Sequence, residues 1–361
     1  MTSEHSSEQQ YVGVIAVVGG GSAGHVVPAL PVIDELLSRR WQVHFIGTRS
    51  GFEQNLLGQR SVAFHGISAG KLRRYFDWQN FTDLGRIVSA VLESLRLLRR
   101  VRPKVLFSKG GFVSLPPVFA AWLLRIPVVA HESDFTPGLA NRLAAPFVAT
   151  FCTSFAETAA GRYRGRVKHT GTPIRPELLL GDADKARSRY GIGDKLILLV
   201  TGGSLGADRL NRVVRDALPR LLQQFAVVHV CGQGKVSGVN QPGYIELAYV
   251  ADDWGDLLSA ADIVLSRAGA NALFELLTLG KLNLLVPLSA AASRGDQIAN
   301  AEYAQTHGYS QVLQEHELTP ERLVASLQEI QGKTAVYRSR LSKFQKFDTI
   351  ALLLDEIESL A

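Results

Sequence analysis

Two glycine-rich turns, one in each half of the chain, constrain the fold more than any other feature. Gly19–His25 follows the apolar segment Tyr11–Val18, and Gly202–Gly206 follows Leu196–Thr201. Between a buried strand and a helix, such a turn directs backbone N–H groups and the positive end of the helix at a ligand above the sheet. The repeat predicts two nucleotide-type domains facing one cleft, the arrangement of an enzyme that holds one substrate on each half.

The rest of the pattern agrees with an α/β fold of two Rossmann-like, doubly wound parallel sheets. The chain has 361 residues, enough for two domains. Short β-branched runs alternate with helical segments in both halves, which indicates parallel strands covered by helices. We expect the boundary near the turn Gly171–Pro176, where a strand ends.

Several classes of protein are disfavoured. The two cysteines, Cys152 and Cys231, lie in apolar surroundings and indicate buried free thiols rather than a disulfide framework. Met1–Gln10 is polar and lacks the apolar core of a signal peptide. No uncharged apolar stretch reaches the about 20 residues that span a bilayer. We therefore expect a cytoplasmic protein.

The net charge of +6 allows an anionic membrane, a phosphorylated substrate or a nucleic acid as partner. Residues 71–102 combine eight lysines and arginines with many aromatic and aliphatic side chains. This mixture fits a membrane surface better than a nucleic-acid backbone. An ordinary amphipathic helix packed into the domain explains the segment equally well, and the loop Lys71–Phe81 can contact lipid in either case.

The first loop also matches the dinucleotide pattern, with glycines at positions 19, 21 and 24. A nicotinamide cofactor requires an acidic residue after the second strand, but that strand ends Gly47-Thr48-Arg49. His25 follows the last glycine and is predicted to start the helix. The helix N-terminus disfavours the imidazolium, so the neutral ring is a candidate base.

A third informative segment, Ser266–Glu275, passes from a strand through small residues into a helix. Glu275, about one turn into that helix, is placed to accept hydrogen bonds from the two hydroxyls of a ribose, although a first-turn glutamate can simply complement the helix dipole. Asp296 and Gln297 can reach the same pocket or cap the next helix. Asp182-Ala183-Asp184 is predicted to be a helix N-cap rather than a metal site, so no metal or other cofactor is expected.

Seven segments together resemble glycosyltransferase family 28, and within it the enzymes that add N-acetylglucosamine to the lipid-linked precursor of peptidoglycan. They occur in the order and spacing of that family over nearly the whole chain: GGGSAGHVVP (19–28), SKGGFVSLP (108–116), HESDFTPGLANR (131–142), GTP (171–173), GGSLGA (202–207), SRAGANALFE (266–275) and SRGDQIAN (293–300).

The resemblance implies the GT-B architecture, with an acceptor-binding, membrane-associated domain at 1–170, a UDP-GlcNAc-binding domain at 171–342, and a C-terminal helix at about 343–361 that returns to the first domain. It implies inverting transfer of N-acetylglucosamine from UDP-GlcNAc to the C4 hydroxyl of the muramoyl sugar of lipid I, giving lipid II at the inner face of the anionic cell membrane. The implied donor-binding residues are Arg175, Ser204, Val250, Arg267, Ala270, Asn271, Ala272, Glu275 and Gln297. The implied acceptor loop is Gly21, Ser22, Ala23 and Gly24, with the segment His131-Glu132; His25 is our first candidate base and Glu132 the second.

Two departures from the family pattern give further expectations. Ala23 stands where the family commonly has glycine, so Gly21 or Gly24 must form the tightest turn. Asp296 replaces a glutamine and should point away from the diphosphate. Two alternatives share this architecture: a related transferase acting on a glycerolipid, and a sugar-nucleotide epimerase.

Overall fold

The computed structural model describes residues 11–68, 79–158, 165–203, 206–250, 252–290 and 293–361. They fall into two compact units. The first extends to Pro173, apart from Asp134–Thr136, and takes in Phe347–Ala361; the second comprises Asp134–Thr136 and Ile174–Lys346.

The first unit is a parallel sheet that, among the described residues, has seven strands in the order β3-β2-β1-β4-β5-β6-β7. Its strands are β1 Gly13–Val18, β2 Trp41–Thr48, β3 Val62–Ile67, β4 Val105–Ser108, β5 Val128–Glu132, β6 Thr150–Thr153 and β7 Arg166–His169. Its helices before the boundary are α1 Ala23–Val26, α2 Leu30–Ser38, α3 Phe52–Leu57, α4 Gln79–Val101, α5 Leu115–Leu123 and α6 Leu139–Ala144.

Burial on both faces explains the apolar runs of the central strands. Ile15 and Val17 belong to one hydrophobic cluster, while Ala16 and Val18 belong to the cluster on the opposite face. Successive side chains of a strand point to opposite faces, so a sheet covered twice needs apolar residues throughout. The edge strands lack this pattern: all four residues of β7 are partly exposed.

The second unit is a parallel sheet with, in the described part of the chain, six strands in the order β10-β9-β8-β11-β12-β13. Its strands are β8 Leu196–Thr201, β9 Phe225–Val230, β10 Tyr244–Leu247, β11 Ile263–Ser266, β12 Leu282–Leu285 and β13 Gln311–Val312. Its helices are α7 Ala183–Arg189, α8 Asp208–Leu221, α9 Trp254–Ala260, α10 Ala270–Thr278, α11 Asp296–Thr306, α12 Pro320–Gly332 and α13 Thr334–Leu341.

The C-terminal helix α14, Thr349–Glu358, belongs to the first unit. Leu353, Leu354 and Ile357 are fully buried in the cluster that also holds the apolar face of α2. Burying each such side chain contributes about 1.5–3 kcal/mol, so these residues hold the end of the chain on the first unit. The residues of the first unit resume at Phe347.

Candidate functional site

The strand order of the first unit reverses at β1, which has β2 on one side and β4 on the other. In open parallel sheets, ligands bind outside the carboxyl ends of the strands at such a switch point. Gly19–His25 follows β1, and Lys109–Gly111 follows β4. A Cβ atom on Gly111 would lie 2.1 Å from Gly20 O, so the backbones of the two loops are in contact.

The glycine loop takes its tightest turn at Gly21, where φ is +81°. This agrees with the expectation that Gly21 or Gly24 must replace the family's glycine at position 23. Ser22 is extended and precedes α1, which begins at Ala23. His25 is therefore the third residue of a one-turn helix and does not start it, because Ala23 adopts helical geometry; this corrects the sequence prediction.

A carboxylate that sequence analysis missed supports this loop. Glu53, in α3, is fully buried. Its Oε1 accepts a hydrogen bond from Gly21 N at 3.2 Å, and its Oε2 accepts one from Thr48 Oγ1 at 2.7 Å. The Gly21 amide is thus satisfied within the protein, and a ligand would have to displace Glu53 to bind it. No motif around Glu53 signals this role.

The second candidate base, Glu132, ends β5 and is 3% exposed. Its carboxylate accepts hydrogen bonds from Gly138 N at 2.8 Å and from Asn141 Nδ2 at 2.9 Å. These contacts direct the carboxylate towards the start of α6. Its role is therefore partly structural, since it satisfies donors of the loop that leads into that helix.

The neighbouring His131 is fully buried and donates from Nε2 to Gly171 O at 2.8 Å. Burial holds the pKa of His131 well below its usual value, and the charge of Lys109 lowers it further. The Lys109 ammonium, 1% exposed, donates a hydrogen bond to Ser133 Oγ. His131 is therefore held neutral, and its buried Nδ1 has no hydrogen-bond partner among the described residues.

In the second unit the strand order reverses at β8, which has β9 on one side and β11 on the other. The second glycine loop follows β8, and α10 follows β11, so most donor-binding candidates lie around this switch point. Gly206 has φ of +67°, and a Cβ there would lie 2.0 Å from Cys231 O. Ser204 lies outside the described residues.

Glu275 lies in α10 with 17% of its side chain exposed. One carboxylate oxygen accepts from Trp254 Nε1 at 3.3 Å, and the other is 4.0 Å from Arg175 Nη2. Burial raises the pKa of Glu275, against the opposing effects of Arg175 and Trp254. Arg175 Nε is buried and has no hydrogen-bond partner in the described part of the chain. The structure thus brings Glu275 and Arg175 together, which sequence spacing did not show.

Arg267 differs from the other donor-binding candidates because its guanidinium is held by the protein. It donates to Glu315 Oε1 at 2.5 Å and to Val286 O at 3.1 Å, and the Arg267 residue is 8% exposed. Glu315 also accepts a hydrogen bond from Ser289 N. Burial acts to raise the pKa of Glu315, but the hydrogen bonds from Arg267 and Ser289 lower it overall. Arg267 therefore links the end of β11 to the segments that follow β12 and β13.

The remaining candidates lie around the same sheet edge. Gln297, in the first turn of α11, accepts from Leu288 N at 3.0 Å, while Asp296 Oδ2 is 3.4 Å from Arg294 Nη2. Neither side chain caps the helix, whose N-cap is Gly295. Val250 follows β10 and is half-buried. The first turn of α10 contains the other three candidates, Ala270, Asn271 and Ala272.

Both halves of the chain match models of one enzyme family. Residues 15–153 match the glycosyltransferase family 28 N-terminal domain, and residues 197–353 match the glycosyltransferase family 28 C-terminal domain. The chain belongs to glycosyltransferase family 28. The predicted family, the two-domain GT-B fold and the predicted enzyme class are confirmed.

Two relatives are each 43% identical to this chain. One comes from Clostridium kluyveri, and its alignment covers 95% of this chain and 98% of the relative. The other comes from Geobacillus thermodenitrificans, and its alignment covers 96% of this chain and 99% of the relative. Both are named UDP-N-acetylglucosamine--N-acetylmuramyl-(pentapeptide) pyrophosphoryl-undecaprenol N-acetylglucosamine transferase. A crystal structure of MurG from Acinetobacter baumannii shares the fold, with a TM-score of 0.76 and 24% identity over 96% of this chain and 99% of that one.

Two groups in this family 28 chain resemble metal sites in composition. Asp182 caps α7 by accepting from Asp184 N and Lys185 N, as the sequence predicts. In the described residues, His229, Cys231 and Glu246 place potential ligand atoms within 4.8 Å of one another. His229 contacts Tyr244 and Asn211 through its two ring nitrogens, and Arg215 donates to Glu246 at 2.7 Å. The protein itself therefore satisfies these ligand atoms.

Proposed function

We propose that this chain transfers N-acetylglucosamine from UDP-GlcNAc to the C4 hydroxyl of the muramoyl sugar of lipid I, with inversion, to give lipid II for peptidoglycan synthesis. The observation that carries the proposal is the 43% identity to transferases named for this reaction, which extends over 95% of the chain. The second unit binds the donor, and the first binds the lipid-linked acceptor.

Glu275 is the donor-binding residue with the strongest structural support. A buried carboxylate beside a guanidinium and an indole N–H can exchange these partners for the two hydroxyls of a ribose. The raised pKa of Glu275 shows that ionisation is costly in the unliganded protein. Two ribose hydroxyls donating to the carboxylate offset that cost, because hydrogen bonds to a charged group contribute about 1.5–3 kcal/mol each.

The leaving group is a diphosphate, whose developing charge must be stabilised. The N-terminus of α10, with Ala270, Asn271 and Ala272, supplies N–H groups and a positive dipole end. Arg175 adds a cation whose Nε lacks a protein partner among the described residues. These groups stabilise the charge as the bond between the anomeric carbon and the diphosphate oxygen breaks.

His25 is the better supported of the two base candidates. The Glu132 carboxylate already accepts two hydrogen bonds from its own unit, and removing it from them would leave buried donors unsatisfied. His25 lies in the loop at the switch point, with Cδ2 3.0 Å from where a Cβ of Gly111 would lie. We assign it to accept the proton of the attacking C4 hydroxyl, a step worth about 10²–10⁴-fold in rate.

Peripheral association with the inner face of an anionic membrane is part of the proposal. Among the described residues, no helix is both long and apolar enough to cross a bilayer. Of the loop Lys71–Phe81 that sequence analysis singled out, residues 71–78 lie outside those residues, and Gln79 begins α4. A described surface supports the same conclusion, formed by exposed apolar side chains of the first unit: Trp122, Leu123, Leu139 and Leu143.

This surface spans α5, α6 and the turn that follows α6. Leu139 and Leu143 are four residues apart on α6, and Phe147, four residues further, contacts Trp122 with ring centroids 5.1 Å apart. Arg125 and Arg142, both exposed, flank it. Aromatic and aliphatic side chains next to cations are suited to the headgroup region of an anionic bilayer.

The deciding experiment combines purified protein and UDP-GlcNAc with no acceptor, with lipid I or with diacylglycerol. We expect UDP release to require lipid I and to yield the disaccharide product, and His25→Gln to abolish turnover while UDP binding remains. Transfer to diacylglycerol, or epimerisation of UDP-GlcNAc alone, would replace our proposal with one of the two alternatives.

The membrane assignment has its own test. Trp122→Ser with Leu143→Ser should reduce co-sedimentation with phosphatidylglycerol vesicles, whereas Val336→Ser, which removes another exposed apolar side chain from α13, should not. Equal sedimentation of both variants and the parent would contradict docking through this surface.

A further inference from the structure

A groove of about 550 Å³ lies on the first unit between the edge strand β3 and the C-terminal half of α4. β3 is separated from β1 by β2, so the groove lies beside the switch point at which we place the acceptor and is distinct from it. The lining residues that carry the argument are Arg49, His65, Glu93, Arg96 and Arg100. Three cations and an imidazole thus face one carboxylate.

That carboxylate is fully engaged by other groups. Glu93 accepts from Ser68 N at 2.8 Å and from Ser68 Oγ at 3.0 Å, and Arg49 Nη2 lies 2.8 Å from its Oε1. Ser89 Oγ donates to it as well. Hydrogen bonds from Ser68, with help from Arg49, lower the pKa of Glu93 against the effect of burial. Its charge is therefore balanced by Arg49 and does not neutralise the other arginines.

Arg96 and Arg100 lie four residues apart and so project from the same side of α4. Neither forms an ion pair with any of the described residues, and both are exposed. Like charges at this spacing destabilise a helix slightly. Two planar guanidinium groups that line one groove, neither of them paired with its carboxylate, form a suitable clamp for an oxyanion.

Two histidines lie beneath this clamp. His44 Nδ1 and His65 Nε2 are 2.9 Å apart, and the rings stack with their centroids 5.2 Å apart. Burial lowers the pKa of both, and Arg100 lowers each further; His44 also lowers the pKa of His65. Burial and the positive charge of Arg100 therefore keep both imidazoles neutral. An anion bound in the groove would offset the effect of that positive charge.

We propose that this groove is a binding site for a phosphate group, held by Arg96 and Arg100 with His65 beside it. The phosphate belongs either to a soluble phosphorylated metabolite or to the headgroup of an anionic lipid. A phosphate carries the charge and the several acceptor oxygens that two forked guanidinium groups can satisfy together. A soluble phosphorylated metabolite at this site goes beyond the proposed function, whereas a lipid headgroup rests on the membrane association proposed above.

Binding is linked to pH through the two histidines. The charged groups that line the groove together with His65 are Arg49 from the loop after β2 and Glu93, Arg96 and Arg100 from α4. A bound phosphate adds negative charge, so it favours the imidazolium form of His65. At constant charge of the bound phosphate, affinity should therefore rise as the pH falls through the range in which His65 gains its proton.

The test uses inorganic phosphate and glycerol 3-phosphate as probes, with potassium chloride at equal ionic strength as the salt control. The parent is compared with Arg96→Gln plus Arg100→Gln. The matched control is Arg99→Gln, because Arg99 is an exposed arginine of the same helix that does not line the groove. Calorimetric titration and the imidazole NMR signals of His65 are followed in all three proteins.

We expect phosphate to bind the parent and Arg99→Gln equally, to shift the His65 signals, and to bind the double variant at least about tenfold more weakly. Equal binding by all three proteins, or no binding by the parent, would overturn the proposal. Thermal unfolding curves recorded without phosphate check that each variant is folded.

Vesicles distinguish the two sources of phosphate. If phosphatidylglycerol vesicles retain the parent and Arg99→Gln but release the double variant, and phosphatidylcholine vesicles retain none, the site takes a lipid headgroup. If the double variant loses only the response to soluble phosphate, the site takes a metabolite. Loss of lipid II synthesis by the double variant with both probes unaffected would contradict a phosphate site here.

Discussion

The two switch points have the same topology but use a buried glutamate in different ways. In the first unit, the carboxylate of Glu53 accepts from Gly21 N and Thr48 Oγ1 and is inaccessible to solvent. In the second, Glu275 keeps 17% of its side chain exposed, and burial raises its pKa. The Glu53 carboxylate stabilises the glycine loop from inside the protein. The Glu275 carboxylate is partly exposed to solvent, and its ionisation costs free energy because the residue is largely buried.

This difference shows why a glycine-rich loop is by itself weak evidence of a phosphate site. The first loop has the expected left-handed glycine, yet its amide serves an internal carboxylate. Buried polar atoms without a partner in the described part of the chain occur in both units, among them His131 Nδ1 in the first and Arg175 Nε in the second. Unsatisfied polar groups are rare in folded proteins and indicate ligand sites more directly than backbone shape does.

The largest effect that tests this comparison is expected from Glu275→Gln. Loss of two charge-assisted hydrogen bonds to ribose should raise the Kd for UDP-GlcNAc by about 10²-fold or more. The same change should stabilise the protein at neutral pH. A carboxyl with a raised pKa in the folded state loses stabilising free energy as the pH rises above its ordinary value of 4.5, and glutamine does not ionise.

Calorimetric titration with UDP-GlcNAc and melting curves at several pH values measure the two effects of Glu275→Gln. A variant that is destabilised at pH 7, or that binds UDP-GlcNAc as the parent does, would contradict the role given to Glu275. Glu177→Gln, a change of an acidic residue in the same unit outside the site, is the control.

Arg267→Met should give the largest loss of stability. The Arg267–Glu315 pair leaves 10% and 13% of the two side chains exposed, and breaking a buried pair costs about 3–5 kcal/mol. Removing both charges, with Arg267→Met and Glu315→Gln together, should restore much of that loss. Denaturant unfolding measures both.

The variant that combines Arg267→Met and Glu315→Gln also separates the predicted donor-binding role of Arg267 from its structural role. If UDP-GlcNAc binds it with nearly the parental Kd, Arg267 acts through the fold. A loss of affinity as large as that of Glu275→Gln would instead place its guanidinium on the nucleotide.

Sequence patterns predicted the buried parts of the fold better than its edges. The continuous apolar runs Tyr11–Val18 and Leu196–Thr201 identified β1 and β8, the second with the bounds that the structure has. Val62–Ile67 and Arg166–His169 were missed because edge strands need no apolar residues on their exposed positions, and charged or polar side chains mask their period.

The same limit applies to the site. The place of Glu275 in a helix after a strand could be predicted because both elements are local in sequence, whereas its contacts with Trp254 and Arg175 could not. The partner of Arg267 is 48 residues away, and that of Gly21 is 32 residues away. Contacts of this kind arise from tertiary packing, which a single sequence does not reveal.

Glu53→Ala tests the structural side of the comparison. It would leave the Gly21 amide and the Thr48 hydroxyl without their acceptor, at about 1–3 kcal/mol for a buried unsatisfied group. We expect lower unfolding free energy, reduced turnover with lipid I and unchanged UDP-GlcNAc binding. Glu53→Gln keeps one acceptor oxygen and should recover part of the loss; equal stability of Glu53→Ala and the parent would show that the carboxylate does not support the loop.

The smallest effect is expected from Asp182→Ala, which tests a third carboxylate, in the second unit, that we regard as purely structural. Asp182 accepts from the first N–H groups of α7, and loss of such a cap costs about 0.5–2 kcal/mol. Asp182→Asn should keep the cap, since asparagine caps as well as aspartate does. Because we assign no metal to this carboxylate, turnover and its response to chelators should match the parent in both variants. If Asp182→Asn abolished turnover while the fold kept its stability, the carboxylate charge itself would be needed, and the metal alternative for Asp182-Ala183-Asp184 would have to be accepted.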